Sequence, residues 1–202
     1  MARLAYSKAS LSKESAKLKR FKQFLPSLDL KRQQLAVERK KALATLRQTE
    51  LEIEQCYQKS AAMLPMLADK SIHVQNLVKV VQVEVTEENI VGVHLPLLKD
   101  LRIEVQPYSL FTEPHWVDQL VVQLKIMMRL KLQQQIEVQR VEVLGDAVKK
   151  VTQRVNLFDK VLIPKAQQDI RKIRIYLSDL ERAGVVRAKS TKQKRLRANK
   201  VG

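Results

Sequence analysis

The side chains that could support covalent or metal chemistry are few, and their spacing does not suit it. Three histidines, His73, His94 and His115, stand far from one another and from Cys56, the sole cysteine. None of them keeps the spacing of a metal-ligand set. The chain has four glycines, Gly92, Gly145, Gly184 and Gly202. That is too few for a phosphate-cradling loop or a dinucleotide fingerprint. No serine sits in a glycine-flanked nucleophile turn. The carboxylates alternate with lysines and arginines, the pattern of a solvated helix face. These residues point to a protein with no catalytic group, no cofactor and no metal. Cys56 is expected as a small buried apolar residue. A single cysteine allows no internal disulfide, which fits a reducing, cytoplasmic setting.

Charge is the stronger signal. The 202 residues carry 38 Lys and Arg against 21 Asp and Glu, a net +17. Residues 1–41 hold 12 basic and 3 acidic side chains, and residues 185–202 hold 7 basic and none acidic. The excess therefore sits at the two ends of the chain. Three readings suit the basic segment that begins at Arg187: a solvated tail, a nucleic-acid contact, or a helix that enters an acidic or polar protein sleeve. Clustered cations neutralise phosphates. The segment has no aromatic residue for base stacking, and no known nucleic-acid-binding motif accompanies it.

The elements that position these groups are helical. Aromatic residues make up only 4% of the chain while the hydrophobic fraction is 45%. Leu, Val, Ala, Gln, Lys, Arg and Glu with few breakers read as long helices. Stepping by three and four from Leu11 gives Glu14, Leu18, Phe21, Leu25, Leu28, Arg32, Leu35, Arg39, Ala42, Leu46, Thr49, Ile53, Cys56, Ser60, Met63 and Leu67. Most are apolar, and the residues between them are mostly polar. A seam kept up so long predicts a coiled coil. As one helix, residues 11–67 would run roughly 85 Å. Arg32 and Arg39 in the seam either snorkel where the pair is wide or set register with a partner's acid. Pro26 predicts a kink, and Pro65 a helix end.

A second seam starts after Thr112, Glu113 and Pro114, a plausible helix start. Val141, Leu144, Val148, Val151, Val155, Phe158 and Leu162 keep strict spacing. The spacing slips by one residue at Ile163, beside Pro164, and resumes through Ala166, Ile170, Ile173, Leu177 and Leu180. A register shift or bend is expected there, with a stop near Gly184. Between the seams, residues 78–85, 90–95 and 101–106 have strand character, with a polar turn expected at Thr86–Asn89 and an end at Pro107.

The fold class expected is all-α dominated: a long antiparallel two-helix coiled coil, or helical hairpin, with a short β-hairpin-like insertion at its far end. The divisions are residues 1–67, 68–113, 114–184 and a basic tail at 185–202. Antiparallel arms bring the two basic termini to one tip. No signal peptide is expected at the N-terminus, and no stretch of 18 apolar residues exists that could span a membrane.

Three segments, in order, resemble the D subunit of V-type and archaeal-type rotary ATPases. They are Thr152-Gln-Arg154-Val155-Asn156 through Leu162-Ile163-Pro164; Glu87-Glu88-Asn89-Ile90-Val91-Gly92-Val93-His94-Leu95-Pro96; and Leu11 with Leu18-Lys19, followed by Leu30-Lys31-Arg32-Gln33-Gln34-Leu35. The resemblance covers residues 8–184. Gln33 stands where the family often has aspartate, and Pro26 interrupts the first helix where many relatives continue.

The resemblance implies the central stalk, or rotor shaft, of a proton- or sodium-translocating ATPase or ATP synthase, on the cytoplasmic side of a membrane reached only through partners. It implies three partners: the hexamer of catalytic head subunits around the basic tip, a small central-stalk subunit, and a cup-like subunit on the membrane rotor ring. Candidate contacts are Leu11, Leu18, Lys19 and Arg20 near the tip, and Arg154, Asn156 and Pro164 on the second helix. Bends at Pro26 and Pro164 would make such a shaft asymmetric. The alternatives are a generic coiled-coil scaffold and a basic nucleic-acid-binding protein.

Overall fold

The computed structural model describes residues 5–61, 77–107 and 116–198. The helix end expected at Pro65, the helix start at Pro114, the seam positions Met63 and Leu67, and His73 and His115 lie outside these residues. Helix α1 spans Lys8–Ala61. Ser7 caps it: its Oγ accepts the Ser10 N–H at 3.2 Å, and its carbonyl accepts the Leu11 N–H at 3.0 Å. The first bond answers a donor that a helix start leaves unpaired, and the second begins the helical ladder. The helix is continuous through Pro26, which is exposed.

The α1 seam is legible in its burial. From Leu11 to Ser60, every expected seam position is buried or half-buried except Arg39. Leu35 is fully buried, and Thr49 and Cys56 are buried with it. The Thr49 hydroxyl donates to the Thr45 carbonyl at 3.2 Å, so it enters the seam without losing a hydrogen bond. Arg39 is exposed, with its guanidinium beside Gly145 of the facing helix.

Helix α2 spans Trp116–Leu157 and α3 spans Ile163–Ala198. One turn of π-helix, Phe158–Leu162, joins them, with the Ile163 N–H donating to the Phe158 carbonyl. This is the physical form of the slip read at Ile163. A π-turn absorbs one extra residue, so the seam returns to the same face. Val151, Val155, Ala166, Ile170 and Ile173 are buried on either side of it. Pro164 explains its place: in an unbroken α-helix the ring would crowd the Lys160 carbonyl.

Two expectations at the end of this helix are corrected. The helix does not stop at Gly184 but runs on to Ala198. Favourable neighbours on both sides outweigh one exposed glycine. Leu180, expected in the seam, is half exposed.

The chain divides into two compact units, residues 1–30 with 151–202, and residues 31–150. In the first, Tyr6 meets Tyr176 with ring centroids 5.0 Å apart, Lys8 pairs with Glu181 at 3.5 Å, and Phe21 meets Phe158. Rising numbers on α1 meet falling numbers on the returning chain, so the pairing is antiparallel. In the second, Arg39 beside Gly145 and the Cys56 thiol donating to Gln123 Oε1 at 3.5 Å show the same sense.

The insertion is a two-stranded antiparallel hairpin, β1 (Val78–Ile90) and β2 (Val93–Val105). Its turn is Val91-Gly92, not Thr86–Asn89; Thr86 to Asn89 pair in the ladder with Leu97 to His94. The two-residue turn needs positive φ at both positions, and Val91 has φ 54 and Gly92 φ 75. The Gly92 N–H donates to Asn89 Oδ1 at 2.9 Å, which fixes the turn. The polar run read as a turn is instead strand, with successive side chains on alternate faces. The hairpin does not stand beyond the helix ends. Val78 at its base buries against Val117 and Val121, and Arg140 of α2 reaches Glu88 near its turn.

Candidate functional site

With no constellation for catalysis legible in the sequence, the functional surfaces to consider are faces that could bind other chains. Among the described residues, no group of three His, Cys, Asp or Glu could hold a metal ion. No helix of the described residues is long and apolar enough to cross a membrane.

The first surface is the terminal unit. Leu11 and Leu18 are half-buried seam residues, while Lys19 and Arg20, the next residues round α1, are exposed. Leu18 also lines a groove of about 420 Å³ with Ile170, Arg171 and Arg174 of α3. Across the pair, Arg154 and Asn156 are exposed on the last turn of α2, just before the π-turn, and Pro164 is half-buried just after it. Helix geometry accounts for this sorting: Val151 and Val155 occupy the seam, so Arg154 and Asn156 fall beside it and face outward. The structure places these candidates on two adjoining stretches of one helical pair and does not bring them into one cluster.

Past the Lys8–Glu181 pair, α3 continues with every residue from Arg182 to Arg197 exposed. Arg187, Lys189, Lys192, Lys194, Arg195 and Arg197 ride on this stretch with no acid among them. Arg187 Nε donates back to the Ala183 carbonyl at 3.2 Å, and the Thr191 hydroxyl to the Arg187 carbonyl at 2.9 Å. A cationic last turn also suits the negative end of the helix dipole. The basic segment is thus an ordered helical surface. Val185, Val186 and Leu196 stand exposed among the cations, which gives it apolar as well as electrostatic contact area.

The sequence over residues 10–193 matches the family model for the D subunit of ATP synthase. The chain belongs to the ATP synthase D-subunit family. The match reaches beyond the resemblance, which ended at 184, and takes in much of the basic helix. Among relatives, the chain is 32% identical over 200 residues to the V-type ATP synthase D subunit of Borreliella burgdorferi, covering 99% of this chain and 98% of that one. It is 33% identical over 190 residues to that of Chlamydia abortus, covering 90% and 88%. It is 32% identical over 192 residues to that of Chlamydia trachomatis serovar L2, covering 93% of each.

Sequence reasoning missed a second region in this family member. Glu137 and Arg140 of α2 turn toward the hairpin. Arg140 Nη2 donates to Glu88 Oε2 at 2.9 Å, and Nη1 reaches the Pro96 carbonyl at 3.5 Å. Glu137 is buried. Nothing in a helical charge pattern marks these two, because their surroundings are built by α1 and by a hairpin distant in sequence.

Proposed function

We propose that this chain is the central rotor shaft of a V-type ATP synthase or ATPase and transmits torque between a catalytic head and a membrane rotor ring. The observation that carries the reading is the family match over residues 10–193. That the relatives are D subunits of V-type ATP synthases supports the class of complex. In this reading the exposed basic end of α3, with Lys19 and Arg20 of α1, lies within the ring of head subunits. The Lys31–Lys150 unit meets a small stalk subunit and the cup-like subunit on the membrane ring. Leu11, Leu18, Arg154, Asn156 and Pro164 border the head contact.

The physical features suit a shaft. A seam of buried Leu, Val and Ile along two antiparallel helices resists unwinding better than one helix, because twisting either strand must break side-chain packing in both. The π-turn before Pro164 makes the pair locally asymmetric. A shaft needs that to act differently on successive sites of a three-fold head. The chain itself hydrolyses nothing in this reading and holds no nucleotide.

Affinity purification of the tagged chain from gently solubilised membranes tests the reading. Recovery of two large head subunits and the membrane-ring subunits in fixed ratio, with ATPase activity, is the expected result. Recovery of the chain alone, as a homodimer, or with nucleic acid would overturn it.

A further inference from the structure

Within the Lys31–Lys150 unit, α1, α2 and the hairpin line a partly open cavity of about 430 Å³. Small-molecule sites occupy roughly 300–1,000 Å³. Much of the wall is apolar, with Ala42 on α1, Leu97 and Leu98 on β2, and Leu144 on α2. Most of its charged groups are answered. Lys41 Nζ donates to Glu38 Oε1 at 2.7 Å, and Arg140 Nη2 donates to Glu88 Oε2 at 2.9 Å.

Glu137 is different. It lines the cavity yet is only 9% exposed. Its Oε1 accepts from Gln133 Nε2 at 2.9 Å, while Oε2 is buried without a hydrogen-bond partner. A buried carboxylate oxygen left so is costly unless a cation joins it. Arg129, the remaining cation on the wall, is exposed and eight residues back along α2, about 12 Å along the axis. It is too far along the helix to serve Glu137.

We propose that this cavity binds a small aliphatic ammonium ligand of the diamine or polyamine class, one ammonium group donating to Glu137 Oε2 and the methylene chain lying on the Leu97–Leu98 wall. An ammonium supplies the charge-assisted hydrogen bond that Oε2 lacks. An alkyl stem fits walls that a hydrated metal ion would not. The volume exceeds what one ammonium head needs, so it accommodates the stem. The inference stands apart from the rotary reading, since it rests only on this unit.

The chain's net +17 charge repels cations in general, so saturable uptake of a diamine would be informative. Isothermal titration of the full-length chain with putrescine, and with 1,4-butanediol as the neutral analogue, is the test. One-site binding of the diamine alone is expected, with a rise in melting temperature. Glu137→Gln keeps the acceptor for Gln133 and should weaken binding at least tenfold, while melting no lower than the wild type without ligand. Should that variant fail to fold, Ala42→Leu fills the cavity from α1 and should abolish binding with Glu137 intact. Three results would overturn the proposal: no saturable binding at millimolar diamine, equal binding by folded Glu137→Gln, or the same Glu137-dependent shift with magnesium chloride alone.

Discussion

Phe158, the first residue of the π-turn, stands nearly perpendicular to Phe21 of α1, with ring centroids 5.4 Å apart and an interplanar angle of 86°. The widened turn is therefore anchored to the facing helix by an edge-to-face aromatic pair. Both rings are half-buried. Phe21→Ala should destabilise the chain by about 2 kcal/mol, below the ~3–5 kcal/mol of a fully buried phenylalanine. Phe21→Leu should recover roughly half of that, since it restores area but not the ring geometry. Urea denaturation followed by circular dichroism measures both. Equal losses for the two would show that the aromatic geometry, and not the area, carries the contact.

The π-turn can be tested as an inserted residue. Deleting Lys160, which is exposed, together with Pro164→Ala, restores strict spacing through Phe158, Ile163 and Ala166. That double change should leave helicity intact and cost less than about 1 kcal/mol. Deleting Lys172 should be far worse. It rotates Ile173, which is fully buried, about 100° off the seam and gives up roughly 2 kcal/mol at that side chain alone. Thermal melts of the two variants side by side decide it. Similar losses would mean that the slip at Ile163 is not an absorbed insertion.

The helical pair was legible because its signal is local and repetitive. Leu11, Leu18, Leu35, Val151 and Val155 announce a buried face through spacing alone, and the slip at Ile163 announced a shift of register or a bend, whose form, a π-turn, spacing did not specify. The errors came where one residue competes with its surroundings. Gly184 reads as a stop, yet a Cβ there would meet nothing within 4 Å, and flanking helix formers carry the helix past it. Thr86–Asn89 reads as a turn by composition, but positive φ at Gly92 decides where the chain reverses. Glu137 was invisible because it lines a cavity that α1, α2 and the hairpin build together, a meeting of elements that no periodicity encodes.

Val91 offers a direct test of the turn. A β-branched residue at φ 54 is strained by about 1–2 kcal/mol. Val91→Asn, which accepts this conformation and keeps Gly92, should raise stability by about 1 kcal/mol. For a domain near this size that is roughly 2–4 °C in melting temperature. An unchanged or lower melting temperature would mean that the Val91 side chain, which is half-buried, is worth more in contact than the strain it costs.

Gly184 tests whether the basic segment behaves as a helix in solution. Gly184→Ala introduces no clash and should stabilise the local helix by about 0.5–1 kcal/mol. The stretch from Arg182 to Arg197 is exposed throughout, so the effect should appear in local opening more than in global melting. Amide hydrogen exchange over residues 185–198 should slow by roughly two- to fivefold, the exchange equivalent of that energy when opening is local. No slowing would mean that this stretch opens independently of Gly184.

The same helix carries the cations proposed to meet the head. Lys192, Lys194, Arg195 and Arg197 are exposed and far from any acid in sequence, so changing them should disturb little within the chain. Surface charges of this kind contribute a few tenths of a kcal/mol to folding at most. If they lie inside a ring of head subunits, they contribute instead to association, where complementary charge speeds encounter and fixes register. Replacing all four with glutamate should therefore leave the melting temperature within about 2 °C of the wild type while reducing co-purification of the head subunits at least tenfold. Recovery of the membrane-ring subunits should persist, because in the proposed arrangement they meet the other unit. The defect should narrow as salt is raised, since screening weakens the wild-type attraction and the variant's repulsion alike. Undiminished recovery of the head would remove the basic helix from the head contact and leave the apolar residues Val185, Val186 and Leu196 as the next to change.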